Sequence, residues 1–343
     1  MSGALPPTMD DTAIWETWLS PYRMPVVSVA DEAGTLAALA DRAMDTRECA
    51  AAIGADARAL SVHLGALAAL GYIEKRGDKW RATALSRSWL HPEAEGYYGH
   101  FFASFREANP LHAELMATLM TGERPDPAHS RSSAKEWERG DMSDEAAQGI
   151  ARFMHAHSVS PALSAARHPL FGQFRHLMDV GGGSGVFSVA IARAHPGLRC
   201  TVMDLPAMAR AAQSYIAQAG LADRVDTAGV NMFAQDWPIG PDAHFFSNVF
   251  HDWSEETNLL LTRKSFAALP SGGRIVLHEM LIDDDGCGPW IPAAFSLLML
   301  LGTQGRQYSF TELRTILEAA GFTDVQSVRS GANHYSLVTA VKP

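Results

Sequence analysis

The segment LMDVGGGSGVFSVAIARAHPGLRCTVMDLP, residues 177–206, constrains the fold of this chain more strongly than any other stretch. An apolar run ends at Val180, a glycine-rich turn follows, and an apolar stretch of helical character begins near Val186. A second apolar run then ends at Asp204. Glycine lets the backbone take positive φ and approach a ligand closely, and the start of a helix offers free N–H groups. The segment therefore predicts a strand, a turn, a helix and a second strand that ends on a carboxylate.

This unit favours a nucleoside-containing cofactor, because a carboxylate at the end of the second strand can accept hydrogen bonds from both hydroxyls of a ribose. The alternative is a tight turn beside an exposed aspartate. The dinucleotide motif G-x-G-x-x-G is not met, since the third glycine position counted from Gly181 is Val186. A P-loop is excluded because no Gly-Lys-Ser/Thr follows. The common candidate that remains is S-adenosylmethionine (SAM), whose amino-acid end suits a short glycine loop.

From about residue 176 the chain alternates strands and helices, which is typical of a parallel α/β sheet. This alternation predicts strands at 176–180, 199–203, 224–228, 244–250 and 273–279, with helices between them. The C-terminal stretch DVQSVRSGANHYSLVTAVK predicts an antiparallel hairpin that turns at about residues 330–333. The predicted fold class is α/β, a Rossmann-like parallel sheet with a C-terminal antiparallel hairpin.

Residues before about 170 carry helical patterning. We predict that Thr46 caps a short helix, and that a second helix spans residues 56–70. Two short strands around Gly77 and Asp78 complete a winged-helix outline. A winged helix can bind DNA, but here the second helix carries one arginine and no lysine in a surface rich in Ala and Leu. That composition favours a dimerisation or lid role.

Charge, cysteine content and hydropathy limit the class of protein further. The formal net charge of −10 argues against a broad phosphate-binding surface, which needs a basic face. Cys49, Cys200 and Cys287 are far apart and predict reduced thiols. The N-terminal residues lack the features of a secretory signal, and the apolar run 293–301 is about half the ~20 residues that cross a bilayer. We therefore expect a cytoplasmic protein that binds neither nucleic acid nor membrane.

The stretch FFSNVFHDW, residues 245–253, is an apolar run that ends on a histidine, a carboxylate and an indole. Parallel sheets bind ligands beyond the carboxyl ends of their strands, so His251 is expected beside the cofactor. Imidazole has an ordinary pKa near ~6.5 and can take a proton from a hydroxyl near neutral pH. The alternative is a histidine that caps the end of a strand or helix. Asp252 and Trp253 are expected to shape the following turn and to wall the cofactor pocket.

Six segments together resemble the class I SAM-dependent O-methyltransferases, in the branch that contains caffeate and hydroxyindole O-methyltransferases and many bacterial natural-product enzymes. They are LMDVGGGSG, VMDLP, NMF, FHDW, LPSGGRIVLHEML and AAGF, in the order and spacing of that family. The likeness is close over the C-terminal domain and holds in outline over the N-terminal part. It implies a winged-helix-like dimerisation domain at 1–95, a helical linker or substrate lid at 96–170, and a SAM-binding methyltransferase domain at 171–343.

The resemblance assigns the glycine loop to the methionine part of SAM, Asp204 to the ribose and Leu205 to the adenine. Asn231 stands where the family has an aspartate that accepts a hydrogen bond from the adenine amine. An amide oxygen can accept the same bond, with somewhat weaker SAM binding. Ser247 stands where plant members often carry a lysine. The predicted cofactor-binding residues are Asp179, Gly181, Gly182, Gly183, Gly185, Asp204, Leu205, Asn231, Met232, Phe233, Ser247 and Trp253.

The resemblance also implies that His251 is the general base that deprotonates the substrate hydroxyl, with Glu279 as the carboxylate that orients it. At a second carboxylate position of the family this chain has Gln307, which cannot stabilise an imidazolium as an acid does. C- or N-methylation with little base catalysis therefore stays open as an alternative on the same scaffold. A SAM-binding regulator that binds DNA through its winged helix is a second alternative.

Two segments are candidates for substrate contact. Met154 and His157 match an M-x-x-H-S segment that lines the substrate pocket of the family, and Phe153 precedes them. Phe295 and Met299 lie in the apolar stretch WIPAAFSLLMLLGTQGRQYS, which also contains Gln307, and they can pack against an aromatic ring. Plain core roles are the alternative for these apolar residues.

These features predict methyl transfer from SAM, with S-adenosylhomocysteine (SAH) as product, to a hydroxyl of an aromatic or polyketide-like small molecule. No metal site is expected, because His155 and His157 are two residues apart on a helix and face different sides. The resemblance further implies a homodimer whose active site borrows residues from the partner.

Overall fold

The computed structural model describes residues 11–106, 108–123, 134–140, 142–331 and 334–343. Its helices are α1 (Thr12–Leu19), α2 (Arg23–Glu32), α3 (Thr35–Asp41), α4 (Thr46–Ile53), α5 (Ala57–Ala69), α6 (Ala84–Trp89), α7 (Gly99–Arg106), α8 (Pro110–Thr121), α9 (Ala134–Arg139), α10 (Asp144–Ala165), α11 (Val186–Ala194), α12 (Pro206–Gln218), α13 (Glu255–Ala268), α14 (Trp290–Gly302) and α15 (Phe310–Ala319). Its strands are β1 (Ile73–Arg76), β2 (Lys79–Ala82), β3 (His176–Val180), β4 (Arg199–Asp204), β5 (Val225–Gly229), β6 (Ala243–Ser247), β7 (Arg274–Met280), β8 (Thr323–Arg329) and β9 (Tyr335–Val341).

The chain forms two compact units. The described residues within Ser132–Leu281 and Phe310–Pro343, with residues 11 and 12, form the sheet unit. Those within Ala13–Arg131, together with Ile282–Ser309, form the helical unit. The predicted division at 95/96 and 170/171 follows chain order, whereas Ile282–Ser309 joins the helical unit because α14 packs against α5. As a division by function, the three predicted regions stay a prediction.

A seven-stranded sheet organises the sheet unit, with strand order β5-β4-β3-β6-β7-β9-β8. The first five strands in this order are parallel to one another, and β9 runs antiparallel to both β7 and β8. The chain enters at β3, adds β4 and β5 on one side, and then adds β6 and β7 on the other. The reversal between β3 and β6 opens a crevice at the carboxyl ends of these strands. The predicted α/β fold class with a terminal hairpin is confirmed; residues 332 and 333 of its turn lie outside the described residues.

Apolar side chains explain why this sheet holds its helices. Val202 and Phe245, on β4 and β6, are fully buried against Ile191 of α11. Phe171 and Phe187 place their rings 5.7 and 5.5 Å from that of Phe245. The continuous apolar runs that predicted the strands are those of a parallel sheet covered by helices.

The predicted strand 244–250 is too long. Strand β6 ends at Ser247, because Asn248 adopts a left-handed conformation with φ of 54°. A single 3₁₀ turn, Phe250–Asp252, follows. Period and hydropathy could not predict this break, since the residues after it are as apolar as those before.

The helical unit contains the predicted winged-helix outline. Helices α4 and α5 precede the β1–β2 hairpin, whose register pairs Arg76 with Lys79 around the turn. The N-cap of α4 is Asp45 and not the predicted Thr46: its carboxylate accepts from Glu48 N, and Glu48 returns the capping-box bond. The hydroxyl of Thr46 instead accepts a hydrogen bond from the indole N–H of Trp80, 3.1 Å away.

Most of helix α5 is buried within the helical unit, including Leu60, Leu64 and Leu67. Its arginine, Arg58, donates to the carbonyl of Gln304. The second helix of the winged outline is thus a packing element. Within the described ranges, no helix combines the length and apolarity that crossing a bilayer requires.

Candidate active site

A pocket in the sheet unit lies at the carboxyl ends of β3, β4 and β6. Ten of the twelve predicted cofactor-binding residues line it: Asp179, Gly181, Gly182, Gly183, Asp204, Leu205, Met232, Phe233, Ser247 and Trp253. The topology explains their convergence, because strands that are adjacent and parallel end at the same edge of the sheet.

The glycine loop connects β3 to α11 through backbone conformations that other residues adopt with strain. Gly181, Gly183 and Gly185 have φ of 70°, 57° and 74°. A Cβ on Gly182 would lie 2.8 Å from Cγ of Asp179 and 2.9 Å from Cγ1 of Val202, so only glycine fits there without displacement of its neighbours. The backbone of the loop can therefore approach a bound molecule closely.

Gly185, although predicted to bind the cofactor, does not line the pocket. It is the N-cap of α11, and a Cβ at this position would lie 3.1 Å from Cγ2 of Val202. The lack of a side chain at Gly185 allows α11 to pack closely against β4.

Two acids that line the pocket are the buried Asp179 and the half-buried Asp204. Asp204 accepts hydrogen bonds from the N–H groups of Gly183 and Leu205, at 2.9 and 2.7 Å. Burial raises the pKa of Asp204 to about 6, and these two N–H groups oppose the rise. Asp179 accepts from the hydroxyl of Ser188 at 2.7 Å, and burial raises its pKa to about 7. Asp204 thus fixes the glycine loop as well as presenting a carboxylate to the pocket.

Aromatic rings form one wall. The ring of Trp253 is 4.7 Å from that of Phe233 and 6.2 Å from that of Trp137, and all three residues line the pocket. Leu205 and Met208 add aliphatic surface. A flat, apolar heterocycle fits against walls of this kind.

The side-chain amide of Asn231 makes hydrogen bonds to the backbone at both of its ends. Its side-chain oxygen accepts from the N–H groups of Phe233 and Ala234, at 2.9 and 3.2 Å, and its amide nitrogen donates to the carbonyl of Glu138 at 2.8 Å. The residue does not line the pocket. Both lone-pair directions of the amide oxygen thus face backbone N–H groups, and the hydrogen bond to an adenine amine stays a prediction.

The FFSNVFHDW stretch is fixed by a carboxylate from the neighbouring strand. Oε1 of Glu279 accepts from the N–H groups of Val249 and Phe250, at 3.0 and 2.9 Å. Burial raises the pKa of Glu279 to about 8, although both N–H groups lower it. Glu279 therefore holds the turn that carries the histidine.

His251 lies between two acids. Its Nδ1 is 3.5 Å from Oε2 of Glu279, and its Nε2 is 3.7 Å from Oδ1 of Asp252. All three residues are buried. Burial raises the pKa of Asp252 well above its ordinary value. Asp252 lines the pocket, whereas His251 and Glu279 lie behind it. The structure thus brings the predicted base and the predicted orienting carboxylate together, next to the predicted cofactor pocket.

The α10 candidates divide into two groups. Met154 and His157 line the pocket, and burial lowers the pKa of His157 to about 4, so its imidazole is neutral. Phe153 is 58% exposed and does not line it. Within the described part of the chain, no three His, Cys, Asp or Glu side chains are grouped to hold a metal.

The remaining substrate candidates belong to the helical unit. Phe295 packs against Trp15 and Trp18, with ring centroids 5.5 and 5.9 Å apart, and Met299 is buried on the same helix. Gln307 is also buried, and its N–H donates to the hydroxyl of Ser296. Inside their own unit these residues have the packing roles that were the alternative interpretation, and their contact with substrate stays a prediction.

Several pocket residues were missed by sequence reasoning. They are Trp137, Met142, Ile150, Ser184, Val186, Phe187, Met203, Met208, Val230, Asn248 and Val249. Five of them, Ser184, Val186, Met203, Val230 and Asn248, adjoin a predicted residue and could have been found from the predicted strand ends. Trp137 had no signal, since it reaches the pocket through tertiary packing.

The chemistry of the pocket fits SAM better than a phosphate-bearing nucleotide. Its lining includes Asp179, Asp204 and Asp252, and no described lining residue is a lysine or arginine. A phosphate would meet three carboxylates without a cation to pair with, whereas SAM carries an ammonium and a sulfonium. The acids suit those groups and the ribose hydroxyls, and the aromatic wall suits an adenine.

Comparison with known proteins agrees with this chemistry. The profile of the O-methyltransferase domain family matches residues 115–323. A 3-hydroxy-5-methyl-1-naphthoate 3-O-methyltransferase from Streptomyces sahachiroi is 34% identical over 99% of this chain and 98% of its own length. A tetracenomycin polyketide synthesis 8-O-methyl transferase from Streptomyces glaucescens is 30% identical over 84% of each chain.

Solved structures show the same fold. An O-methyltransferase family 2 protein from Planctomyces limnophilus, in complex with apigenin, superposes with a TM-score of 0.85 at 23% identity, covering 98% of this chain and 97% of its own. Human N-acetylserotonin methyltransferase in complex with SAM gives 0.61 at 24% identity, covering 98% and 99%. With a family profile over more than half its length and a 34% identical relative over nearly all of it, this chain belongs to the O-methyltransferase domain family and is a SAM-dependent O-methyltransferase.

Proposed function

We propose that the enzyme methylates a phenolic hydroxyl of an aromatic or polyketide-like small molecule, with His251 as general base. The observation that carries this is the buried His251 between Glu279 and Asp252, immediately behind the pocket. The relatives support the acceptor class, because their names specify a hydroxynaphthoate and a tetracenomycin polyketide.

Cofactor binding would fall to the sheet unit. Asp204 would accept from the ribose hydroxyls, the glycine loop would lie against the methionine part, and Phe233 and Trp253 would cover the adenine. When bound there, SAM supplies an electrophilic methyl group on its sulfonium sulfur. Asp179 and Asp252 would balance its positive charge in their ionised forms: burial raises the pKa of both acids in the ligand-free protein, and a bound cation favours ionisation.

The proton of the acceptor hydroxyl would move to His251. Nδ1 of the imidazole faces Glu279, so Nε2 is the nitrogen that takes the proton. Glu279 then faces the N–H at Nδ1. Its pKa is raised to about 8, so the carboxylate form that stabilises the imidazolium becomes more populated as pH rises through that value, at low solvent exposure where charge interactions are strong. Because Oε1 of Glu279 is bonded to the backbone of Val249 and Phe250, the carboxylate also fixes the orientation of the ring.

A matched pair of acceptors tests this function. We expect the enzyme with SAM to add one methyl group to a hydroxynaphthoate or a similar fused phenol, and to form no product from the same ring with hydrogen in place of the hydroxyl. Mass spectrometry with NMR assignment of the methyl carbon is the measurement. A methyl group found on carbon or nitrogen would favour the alternative chemistry and remove the base role of His251.

We also propose a homodimer formed through the helical unit. Trp89, Tyr98, Phe101 and Phe105 are 44–53% exposed, and their rings contact one another in a continuous row. A monomer rarely leaves such an aromatic patch in water.

The three cysteines are free thiols, which supports a location in a reducing compartment, the cytoplasm.

Light scattering at micromolar protein should give about twice the chain mass of 37.1 kDa. The double variant Phe101→Ser, Phe105→Ser is expected to shift the particle toward the monomer, whereas Ile239→Ser, an exposed apolar position in the sheet unit, leaves the mass unchanged. A wild-type mass equal to that of one chain would overturn the dimer.

A further inference from the structure

We propose that Asn231 is a positioning residue that holds helix α9 against the cofactor pocket, so that Trp137 closes the wall beside Trp253. The inference rests on the proposed function in one respect, namely that the pocket takes SAM and SAH. It gives Asn231 a role that differs from that of the aspartate in the related enzymes.

The first observation is the bonding of Asn231 itself. The side chain is 91% buried and makes hydrogen bonds at both ends: the oxygen fixes the turn at Phe233 and Ala234, and the nitrogen reaches the carbonyl of Glu138 on α9. A carbonyl oxygen only accepts hydrogen bonds, so the group facing it must be a donor. A side-chain amide can accept with its oxygen and donate with its nitrogen, whereas an ionised carboxylate can only accept.

The second observation is that the C-terminal end of α9 packs closely against Asn231. Gly140 follows the helix with φ of 77°, and a Cβ there would lie 3.2 Å from Nδ2 of Asn231. The backbone at the end of α9 therefore lies directly on the amide group. Glycine makes this approach possible.

The third observation is what α9 presents to the pocket. Trp137 precedes Glu138, lines the pocket and lies edge-on to Trp253 at 6.2 Å. Trp253 in turn contacts Phe233, whose N–H is bonded to Asn231. The amide of Asn231 therefore fixes both the turn that carries Phe233 and the helix that carries Trp137.

The variant Asn231→Asp tests this role, because the two interpretations of Asn231 predict opposite changes in SAH affinity. It keeps the acceptor for Phe233 and Ala234 but places a carboxylate oxygen against the carbonyl of Glu138. We expect SAH to bind about tenfold more weakly by calorimetry, which corresponds to about 1.4 kcal/mol. If Asn231 instead acted as a weakened substitute for the family aspartate, the same change would tighten binding.

Two further readouts separate positioning from general damage. Backbone amides of 137–140 should exchange faster in ligand-free Asn231→Asp than in wild type. The defect in SAH affinity, measured relative to wild type at each pH, should also shrink as pH falls, because a protonated carboxyl group can again donate to the carbonyl. Gln235→Glu is the matched control: the exposed Gln235 accepts from the N–H of Asn231, so the change adds a nearby acid and keeps an acceptor.

We expect the control to bind SAH as wild type does. Unchanged or tighter binding by Asn231→Asp, or unchanged exchange in α9, would overturn the proposal. Failure of the wild type to bind SAH would instead contradict the proposed function, and the exchange comparison in ligand-free protein would still decide the role of Asn231.

Discussion

Replacing His251 by alanine is expected to lower kcat for acceptor methylation by about 100- to 10,000-fold, the range that a positioned general base contributes. The reason is that no other imidazole lies in the turn beside Glu279 among its described residues. SAH affinity should change by no more than about threefold, since His251 does not line the cofactor pocket. Steady-state kinetics with a phenolic acceptor and calorimetry with SAH measure the two quantities.

The variant Glu279→Gln provides the comparison for this effect. An amide oxygen can still accept from Val249 and Phe250, so the turn is retained, while the acid that faces Nδ1 of His251 and can ionise to stabilise the imidazolium is lost. A smaller loss of kcat than in His251→Ala is expected. If His251→Ala retained near wild-type kcat, proximity alone would drive the reaction and the base role would be lost.

Replacing Asp204 by alanine is expected to weaken SAH binding by about 100-fold or more. Two hydrogen bonds from ribose hydroxyls to a carboxylate contribute about 1.5–3 kcal/mol each. The variant also releases the N–H of Gly183, which loosens the glycine loop. Asp226→Ala on the adjacent strand is the charge-matched control, because Asp226 is exposed and does not line the pocket. Equal affinities of the two variants would refute the ribose assignment.

The ionisation of the pocket acids predicts how binding depends on pH. The pKa is raised to about 6 for Asp204 and about 7 for Asp179 in the ligand-free protein. Both acids lose protons as pH rises through these values, and the carboxylates are the forms that accept from hydroxyls and attract an ammonium. SAH affinity should therefore increase with pH over this range and depend less on pH in Asp204→Ala.

Thermal melts at each pH control for unfolding in that experiment. A carboxyl group whose pKa is raised by folding favours the folded state at low pH, and that contribution is lost as pH rises between the ordinary pKa and the raised one. As pH rises, the contribution of these acids to the free energy of unfolding therefore falls while SAH affinity rises. The two effects have opposite signs. Binding that weakened with rising pH in folded protein would contradict the assigned acids.

The cofactor pocket was largely predictable because its parts are local in sequence. The glycine loop lies directly between β3 and α11, and Asp204 ends the next strand. Turn chemistry and the period of apolar residues act over a few positions, so they fix such parts without knowledge of the rest. Contacts with a distant partner could not be predicted in this way: Asn231 bonds to Glu138, 93 residues away.

By itself the sequence determined the α/β class, the winged-helix outline, the glycine loop and the acid that follows it. Tertiary structure alone decided that β6 stops at Ser247, that Glu279 holds the turn carrying His251 across 29–30 residues, and that α14 joins the helical unit. The physical reason is that a hydrogen bond or packing contact between distant segments depends on where the whole chain brings them. Asp204 ends β4 and Asn231 follows β5, and both accept hydrogen bonds from the backbone, but only Asp204 also lines the pocket.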